Sequence, residues 1–352
     1  MRAVELIDQL AAEGRLARPQ WARLLAAYRE PGIFDYLAEK SGAVRQKIFG
    51  REVFLRALIE LSNYCKNDCF YCGLRRSNRE VRRYRLSRSE VLDCCAAAYD
   101  LGLRTFVLQG GEDPAYAAGQ PADLVAAIRA AYPDCAITLS LGEMETGRYR
   151  QLAEAGADRY LLRHETAEAA HYAALHPPEM SFEVRRRCLF ELKDLGFQVG
   201  AGFMVGSPGQ TFETLAQDFI FLKELAPQMV GVGPFIPHPQ TPLGGHRPGP
   251  VDLTLFCLGL LRLMLPEVLL PATTALATLD PAGREQALEL GANVLMPNVS
   301  PPEAREKYEI YTGKAHWGQE AAEGLADLKA RLSSLGFQMP VSRGDYRRHF
   351  PL

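Results

Sequence analysis

The sequence predicts an α/β chain whose strands close into a complete (β/α)8 barrel of the TIM type, with a short N-terminal helical extension and a C-terminal helix. Three observations predict it. Short apolar runs alternate with longer amphipathic segments from residue 54 onward. Eight such pairs fit within about 250 residues, the usual compass of a closed barrel. The chain has 352 residues with 47% hydrophobic content, enough to bury one large core. Alternation of this kind implies parallel strands joined by right-handed crossovers.

In chain order, residues 1–50 read as a cap of two or three short helices, punctuated at Pro31-Gly32 and Ser41-Gly42. The barrel with its helical tail is expected over 51–352. Its strands are expected at 54–62, 104–109, 135–141, 159–163, 197–205, 229–235, 268–272 and 293–297. Helices over 87–101, 121–131, 145–155, 181–195, 211–224, 253–264, 281–290 and 302–311 separate and follow them. One more amphipathic helix follows Glu320, and the chain finishes on a polar end, DYRRHF. No low-complexity linker interrupts the pattern.

A formal net charge of -2 gives no field that would hold a polyanion, so no nucleic-acid partner is expected; small molecules and other proteins are. The opening MRAVELIDQLAAEGRLARPQW has an apolar period broken by Glu5, Asp8 and Glu13, which fits neither a signal peptide nor a membrane span. No membrane association and a cytoplasmic location are the expectation. Of 8 cysteines, Cys65, Cys69 and Cys72 crowd into one stretch, while Cys94, Cys95, Cys135, Cys188 and Cys257 are scattered through apolar segments. That is no disulfide framework, and the scattered five read as core.

The crowded three carry the strongest signal. Cys65-Lys-Asn-Asp-Cys69-Phe-Tyr-Cys72 follows the first strand directly, and Lys66, Asn67 and Asp68 make it a polar loop rather than core. Three thiolates can each bind one iron of a cubane that normally takes four protein ligands, so one iron stays open to a cosubstrate. A structural zinc would need a fourth ligand close by, and none stands there. This CxxxCxxC with an aromatic, Tyr71, before its last cysteine resembles the signature of the radical S-adenosylmethionine (SAM) superfamily. The resemblance implies a 4Fe-4S cluster on Cys65, Cys69 and Cys72 and SAM chelated to its open iron. Tyr71 would lie beside the adenine, and reductive cleavage of SAM would give a 5'-deoxyadenosyl radical.

Barrel enzymes place their chemistry at the C-terminal ends of the strands. After the second strand, Gln109 leads into Gly110-Gly111-Glu112-Asp113-Pro114, which resembles the superfamily's GGE motif at the SAM amino group. The third strand offers Thr138, Ser140 and Glu143; at the fourth, Arg163, His164 and Glu165 interrupt an apolar run, and charges in a barrel mouth need partners or ligands. Met204 opens a glycine-rich turn, Met204-Val-Gly206-Ser-Pro208-Gly209, that permits close approach to a ribose; it is no phosphate loop. Arg185 has the planar fork to grip a carboxylate, while Arg186 and Arg187 beside it allow the plainer reading of a solvated basic face. The last strands finish in Thr273-Thr274 and Met296-Pro-Asn298, whose hydroxyls could bind a polar substrate group or merely cap a turn.

Six longer stretches narrow the resemblance: 63–78, 107–114, 159–167, 200–211, 271–281 and 292–314 look like the HydE family of FeFe-hydrogenase maturases, relatives of biotin synthase. That resemblance implies a deep cavity and a small substrate, a cysteine-bound iron carbonyl cyanide species or another organometallic or amino-acid-derived molecule. It implies supply by the maturase HydG, delivery toward HydF, and reduction by flavodoxin or ferredoxin. Residues matching Glu165 and Arg185 contact SAM in that family; those matching Thr138, Arg163, Thr273 and Thr274 line the cavity, which Met296 would join. Those matching Tyr308 and Tyr311 lie toward its mouth, and Arg163 and Tyr311 are the expected catalytic groups beside the cysteines. With no cysteine after Cys257, a second C-terminal cluster is not expected. Alternatives are another biotin synthase-group enzyme, either sulfur-inserting or an amino-acid mutase such as methylornithine synthase, and a non-catalytic iron-sulfur scaffold. The arginine run RRSNREVRRYR (75–85) reads either as a solvated flap or as a docking face for an acidic redox partner.

Overall fold

A computed structural model describes residues 2–117, 121–313 and 321–346. Helices α1 (Ala3–Glu13), α2 (Arg18–Ala26) and α3 (Ile33–Phe49) lead into β1 (Phe54–Leu55) and β2 (Ala57–Ser62). Then come α4 (Arg88–Asp100), β3 (Thr105–Gly110), α5 (Pro114–Ala117), α6 (Pro121–Ala131), β4 (Ala136–Ser140), α7 (Thr146–Glu154) and β5 (Arg159–Leu161). The second half runs α8 (Ala169–Leu175), α9 (Phe182–Asp194), β6 (Gln198–Ala201), β7 (Met204–Val205), α10 (Phe212–Leu225), β8 (Met229–Val230) and β9 (Gly233–Pro234). It closes with α11 (Val251–Met264), α12 (Thr274–Leu279), α13 (Gly283–Leu290), β10 (Val294–Leu295), α14 (Pro302–Arg305) and α15 (Ala321–Ser334).

Strands β2-β3-β4-β5-β6-β8 form one parallel sheet, and β1 pairs in parallel with β10. Bridges Met229–Leu269, Pro271–Val294 and Leu58–Asn298 join the two ends, so the sheet closes on itself as an eight-stave parallel barrel. Residues 268–272 were expected as a full strand and are held by these single bridges alone, because their pairing passes from Met229 on one side to Val294 on the other within three residues. Alternate side chains divide between two cores. Ile59, Phe106, Ile137, Tyr160, Val199 and Val230 join the large cluster under the helices, while Met229, Leu269 and Val294 with Phe54, Leu161, Met296 and Tyr346 fill the lower barrel interior.

Hydroxyl caps start the helices that follow the strands. Ser87 accepts from Glu90 N at 3.3 Å while Glu90 returns a carboxylate to Ser87 N at 2.7 Å, and Ser181 and Thr211 cap α9 and α10. Two helix expectations need correction. Ser41-Gly42 does not break the N-terminal cap: both lie inside the 17-residue α3. Ser41 is buried there, and a Cβ at Gly259 of α11 would stand 3.0 Å from Leu37 and 3.3 Å from Ser41 Oγ, so the small residues serve close helix packing. The helix expected over 302–311 stops at Arg305, because the Lys307 and Ile310 carbonyls turn away to accept from Asn63 Nδ2 (2.7 Å) and Gly73 N (2.9 Å).

The tail is not simply a polar end. Arg159 donates to Asp345 (2.6 Å), Arg56 to Gly344 O (3.1 Å) and Thr105 to Arg343 O (2.8 Å), so residues 343–346 stopper the barrel at the N-terminal ends of its strands. Residues 347–350 of the expected polar end, and Lys314 of the last family-like stretch, lie outside the described residues. Among the described residues no helix is long and apolar enough to cross a membrane.

Candidate active site

From Ser62 the chain leaves β2 as the loop that carries Cys65, Cys69 and Cys72, all partly buried. Backbone bonds fix it to the segments that follow three other strands: Lys66 N donates to Glu112 O (2.9 Å), Phe70 N to Leu175 O at the end of α8 (3.0 Å) and Gly73 N to Ile310 O beyond α14 (2.9 Å). Asp68 accepts from Arg75 Nε (2.7 Å) and Ser77 Oγ (2.6 Å), and the Arg75 guanidinium holds its carboxyl well below the usual range. Arg83 donates to the carbonyls of Leu74 (2.8 Å), Arg75 (2.7 Å) and Asn78 (3.1 Å). Arg85 forks onto Asp113 (2.6 and 2.9 Å) and lies 3.8 Å over the Tyr64 ring. The arginine run is therefore neither flap nor docking face alone: three arginines clasp the cysteine loop, and Arg76, Arg79 and Arg82 are exposed.

Burial pushes all three thiols up, Cys72 to about 12, and the neighbouring sulfurs add to the shift at Cys69 and Cys72. Three such groups become thiolates together only against a compact positive partner. Among the described residues no group of three or more His, Cys, Asp or Glu side chains is arranged to hold a lone metal ion; a cubane, which takes one thiolate at each of three irons, needs no such convergence. Gly111 makes the close approach possible, since a Cβ there would lie 2.2 Å from Tyr64 O and 2.8 Å from Cys65 Cβ.

Beside the thiols stands a charged network. Arg185, only 7% exposed on α9, donates to Glu143 Oε1 (2.5 Å) and Arg163 O (2.6 Å), with Nη2 3.6 Å from Glu112 Oε1. Burial opposes its charge, but Tyr172, Glu143 and Glu112 outweigh that and raise its pKa. Arg186 and Arg187 instead pair on the surface with Glu224 and Glu191. Arg185 is thus separated from its neighbours. Glu165 is the second singular residue, at φ 64, a left-handed conformation costly for a side chain with a Cβ. Its backbone is pinned there between Gly202 O (3.0 Å) and Met204 N (3.2 Å), which is how local strain persists at a site. Arg163 Nη2 lies 3.2 Å from Glu165 Oε2, near enough for charge attraction although the angles form no hydrogen bond. His164 points the other way, fully buried against Asp218 at 3.3 Å. Burial lowers its pKa to about 3, so the ring is neutral and the contact is no ion pair, and burial pushes the Asp218 carboxyl up. Of the three residues expected at the mouth, Arg163 and Glu165 face each other and His164 faces the core.

Tyr71 packs with Leu175, Met204, Phe235 and Leu243 in a small apolar cluster next to the cysteine loop. His176 Nδ1 faces Tyr172 O at 2.9 Å and so carries the proton; its Nε2 accepts from the Tyr71 hydroxyl at 3.1 Å. Burial lowers the His176 pKa to about 3, which keeps the ring neutral. Met180, whose sulfur lies 3.7 Å from Cys69 Sγ, and His176 are neighbours the sequence did not single out. HPPEM follows a helix the sequence reading missed, α8, and carries no motif of its own.

Farther in, Gln109 Nε2 donates to the buried Tyr308 hydroxyl at 3.3 Å, and Gly110 ends β3 next to the cysteine loop. Tyr311 is partly buried, with its pKa raised by burial to about 12. Thr273 and Thr274 stand where α12 begins, and Thr273 Oγ1 is buried without a partner. Thr138 lies deeper, with Arg56, Arg159 and Met229 around a void of about 10 Å³, and its Oγ1 is likewise unpartnered. Leu58, Leu161 and Met296 keep partial exposure, as residues lining an open shaft would. Glu112, Arg163, Glu165 and Thr273 thus offer buried polar atoms without hydrogen-bond partners around one mouth, as a polar ligand requires. With the thiol triplet and the Gly111 cradle, the residues fit a cluster with SAM beside it.

Comparison with known proteins agrees. The Radical SAM superfamily model matches residues 59–222. The [FeFe] hydrogenase maturase subunit HydE of Thermotoga maritima is 48% identical over 283 residues, 80% of each chain. The 3-methylornithine synthase of Methanosarcina acetivorans is 30% identical over 316 residues, 88% of this chain and 86% of its own. The crystal structure of methylornithine synthase (PylB) matches 95% of this chain and 97% of its own with a TM-score of 0.82 at 26% identity. A closed parallel barrel, a buried thiol triplet at its mouth and a relative of this closeness together place the chain in the radical SAM superfamily, among the HydE-type proteins.

Proposed function

We propose that this enzyme acts in assembly of the FeFe-hydrogenase active-site cluster, cleaving SAM reductively to act on a small cysteine-bound iron carbonyl cyanide precursor. The observation that carries the reading is the 48% identity to the Thermotoga maritima maturase across 80% of both chains. When bound, the cluster and SAM supply a 5'-deoxyadenosyl radical. The chain's own groups have positional tasks. Cys65, Cys69 and Cys72 would hold three irons, with Gly110, Gly111 and Glu112 at the SAM amino group. Arg185 and Glu165 would fix the rest of its methionine half, and Tyr71 with Met204 the adenine. Arg163, Thr138, Thr273, Thr274, Met296, Tyr308 and Tyr311 would line the substrate shaft, with Arg163 and Tyr311 nearest the reacting group. Because a radical attacks what lies nearest, such placement decides the reaction. HydG as supplier, HydF as recipient, flavodoxin or ferredoxin as reductant and a cytoplasmic setting complete the reading.

The test is an in vitro maturation mixture with and without this protein, read by hydrogen evolution from the hydrogenase. Full activity in its absence refutes the role. The fold match to methylornithine synthase at TM-score 0.82 favours, as second reading, an amino-acid rearrangement; formation of 3-methylornithine under reducing conditions with SAM would establish it instead.

A further inference from the structure

One wall of the shaft has no side chains. Along β8 and β9, Met229 faces the barrel interior, whereas Val230 and Val232 belong to the outer core; alternation therefore turns Gly231 and Gly233 inward. Gly233 is closed off, since a Cβ there would meet Thr273 Oγ1 at 3.0 Å. Gly231 is not. It is buried, yet a Cβ at this position would have nothing nearer than Ala201 O at 3.9 Å, and its backbone is one that L residues adopt. A buried glycine whose Cβ would touch a single atom within 4 Å has unfilled room beside it, and natural cores leave little of that.

The level of this void in the barrel decides whose space it is. Gly200 pairs with Met229 and Met204 with Gly233 in one register, so Gly202 and Gly231 share the level between them. On the neighbouring strand the register shifts by one residue between the Leu161–Gly200 pair and the Glu165–Phe203 bridge, which sets the void at the level of the Arg163–Glu165 segment. It lies above the apolar cluster of Met229, Leu269 and Val294 and below the Tyr71, Met204 and Phe235 cluster assigned to the adenine. We infer that Gly231 is a specificity-determining residue: the bulk of the small organometallic or amino-acid-derived substrate lies against its bare backbone, and glycine at this point sets the largest substrate the barrel accepts. The inference rests on the shaft being the substrate site, as proposed above, and assigns a residue that no motif marks.

Gly231→Ala and Gly231→Val fill the void stepwise, and Gly147→Val, at a helix position with nothing within 4 Å, is the control. Each variant is purified with its cluster and compared for Tm, iron content, 5'-deoxyadenosine formation from SAM alone, and hydrogen evolution in the maturation mixture. Expected are Tm, iron and substrate-free SAM cleavage close to wild type for Gly231→Ala. Hydrogen evolution should fall on the scale of a pocket misfitted by one or two methyl groups, roughly 10- to 200-fold for valine and less for alanine. Should valine lower Tm, alanine alone decides. Wild-type hydrogen evolution from a folded Gly231→Val overturns the inference alone; so does a parallel loss of substrate-free SAM cleavage, which would give the void to SAM. A wild-type protein that contributes nothing to the mixture removes the maturase reading and this inference with it.

Discussion

Replacing Arg185 by lysine keeps the charge and removes the fork, which separates the two things that this residue does. Its guanidinium holds Glu143 through Nε and the Arg163 carbonyl through Nη1, and reaches toward Glu112 with Nη2. A lysine ammonium is a single point and can serve one of these sites well. Losing one hydrogen bond to a charged group costs about 1.5–3 kcal/mol, and the weakened approach to Glu112 adds to it. We take about 3 kcal/mol for the pair. With an unfolding entropy of roughly 2 cal/mol/K per residue, a chain of this size loses about 4 °C of Tm for that amount. Release of the Arg163 carbonyl also frees the segment that holds Arg163 and the strained Glu165, so the SAM dissociation constant should rise at least about tenfold, equivalent to about 1.4 kcal/mol. Calorimetric Tm and the change in the cluster's electron paramagnetic resonance spectrum on SAM titration measure the two effects. Arg186→Lys, next in sequence but paired with Glu224 at the surface, is the comparison and should shift stability by less than about 0.5 kcal/mol. Wild-type Tm and SAM affinity in Arg185→Lys would refute the idea that this fork organises the mouth.

Glu165→Gly relieves the left-handed backbone at φ 64, so Tm should rise by an amount equivalent to roughly 1 kcal/mol while SAM affinity falls; a fall in both would show that the strain is not stored there. His164 and His176, with pKa values lowered by burial to about 3, contribute stability that is complete above the unfolded value near 6.5 and is lost as pH falls through that window toward 3. At pH 5 each costs about 2 kcal/mol. Urea unfolding of cluster-free protein should therefore show a lower midpoint at pH 5 than at pH 7.5, with the difference reduced in His176→Gln. Replacing Arg76, Arg79 and Arg82 together by glutamine should slow SAM cleavage driven by flavodoxin and leave cleavage driven by dithionite unchanged, since these three are exposed and their side chains, unlike that of Arg85 on Asp113, hold no part of the cysteine loop's framework. Equal rates with flavodoxin would leave them as solvated surface.

The barrel was legible because its staves are short apolar runs punctuated by capped helices, and Ser87, Ser181 and Thr211 announce three of those helix starts in plain sequence. Where the reading failed, a distant contact overrode a local preference. Ser41-Gly42 looks like a stop, but α11 at Ser41 and α13 at Gly42 come too close for larger residues there. The segment after Arg305 has helical composition, but Asn63 and the cysteine loop claim its carbonyls. Neither partner is within two hundred residues of the segment it reshapes.

The site divides along the same line. Cysteines in a polar loop and charges in an apolar run break a local pattern, so Cys65, Cys69, Cys72, Arg163 and Glu165 stand out in the sequence as candidates. Arg185 was found among three arginines but could not be separated from Arg186 and Arg187, because only the turn of α9 decides which of them is buried. His164 shared the signal of its neighbours and belongs to the core, since the pleat turns it outward from the barrel. Gly231 lies at the far end of this scale: what it gives the site is missing volume, and a glycine beside a valine reads the same whether the space before it is filled, as at Gly233 by Thr273, or empty. Chemistry that depends on a side chain leaves a trace in the sequence, whereas chemistry that depends on room for a substrate becomes visible only when the opposing wall is in place.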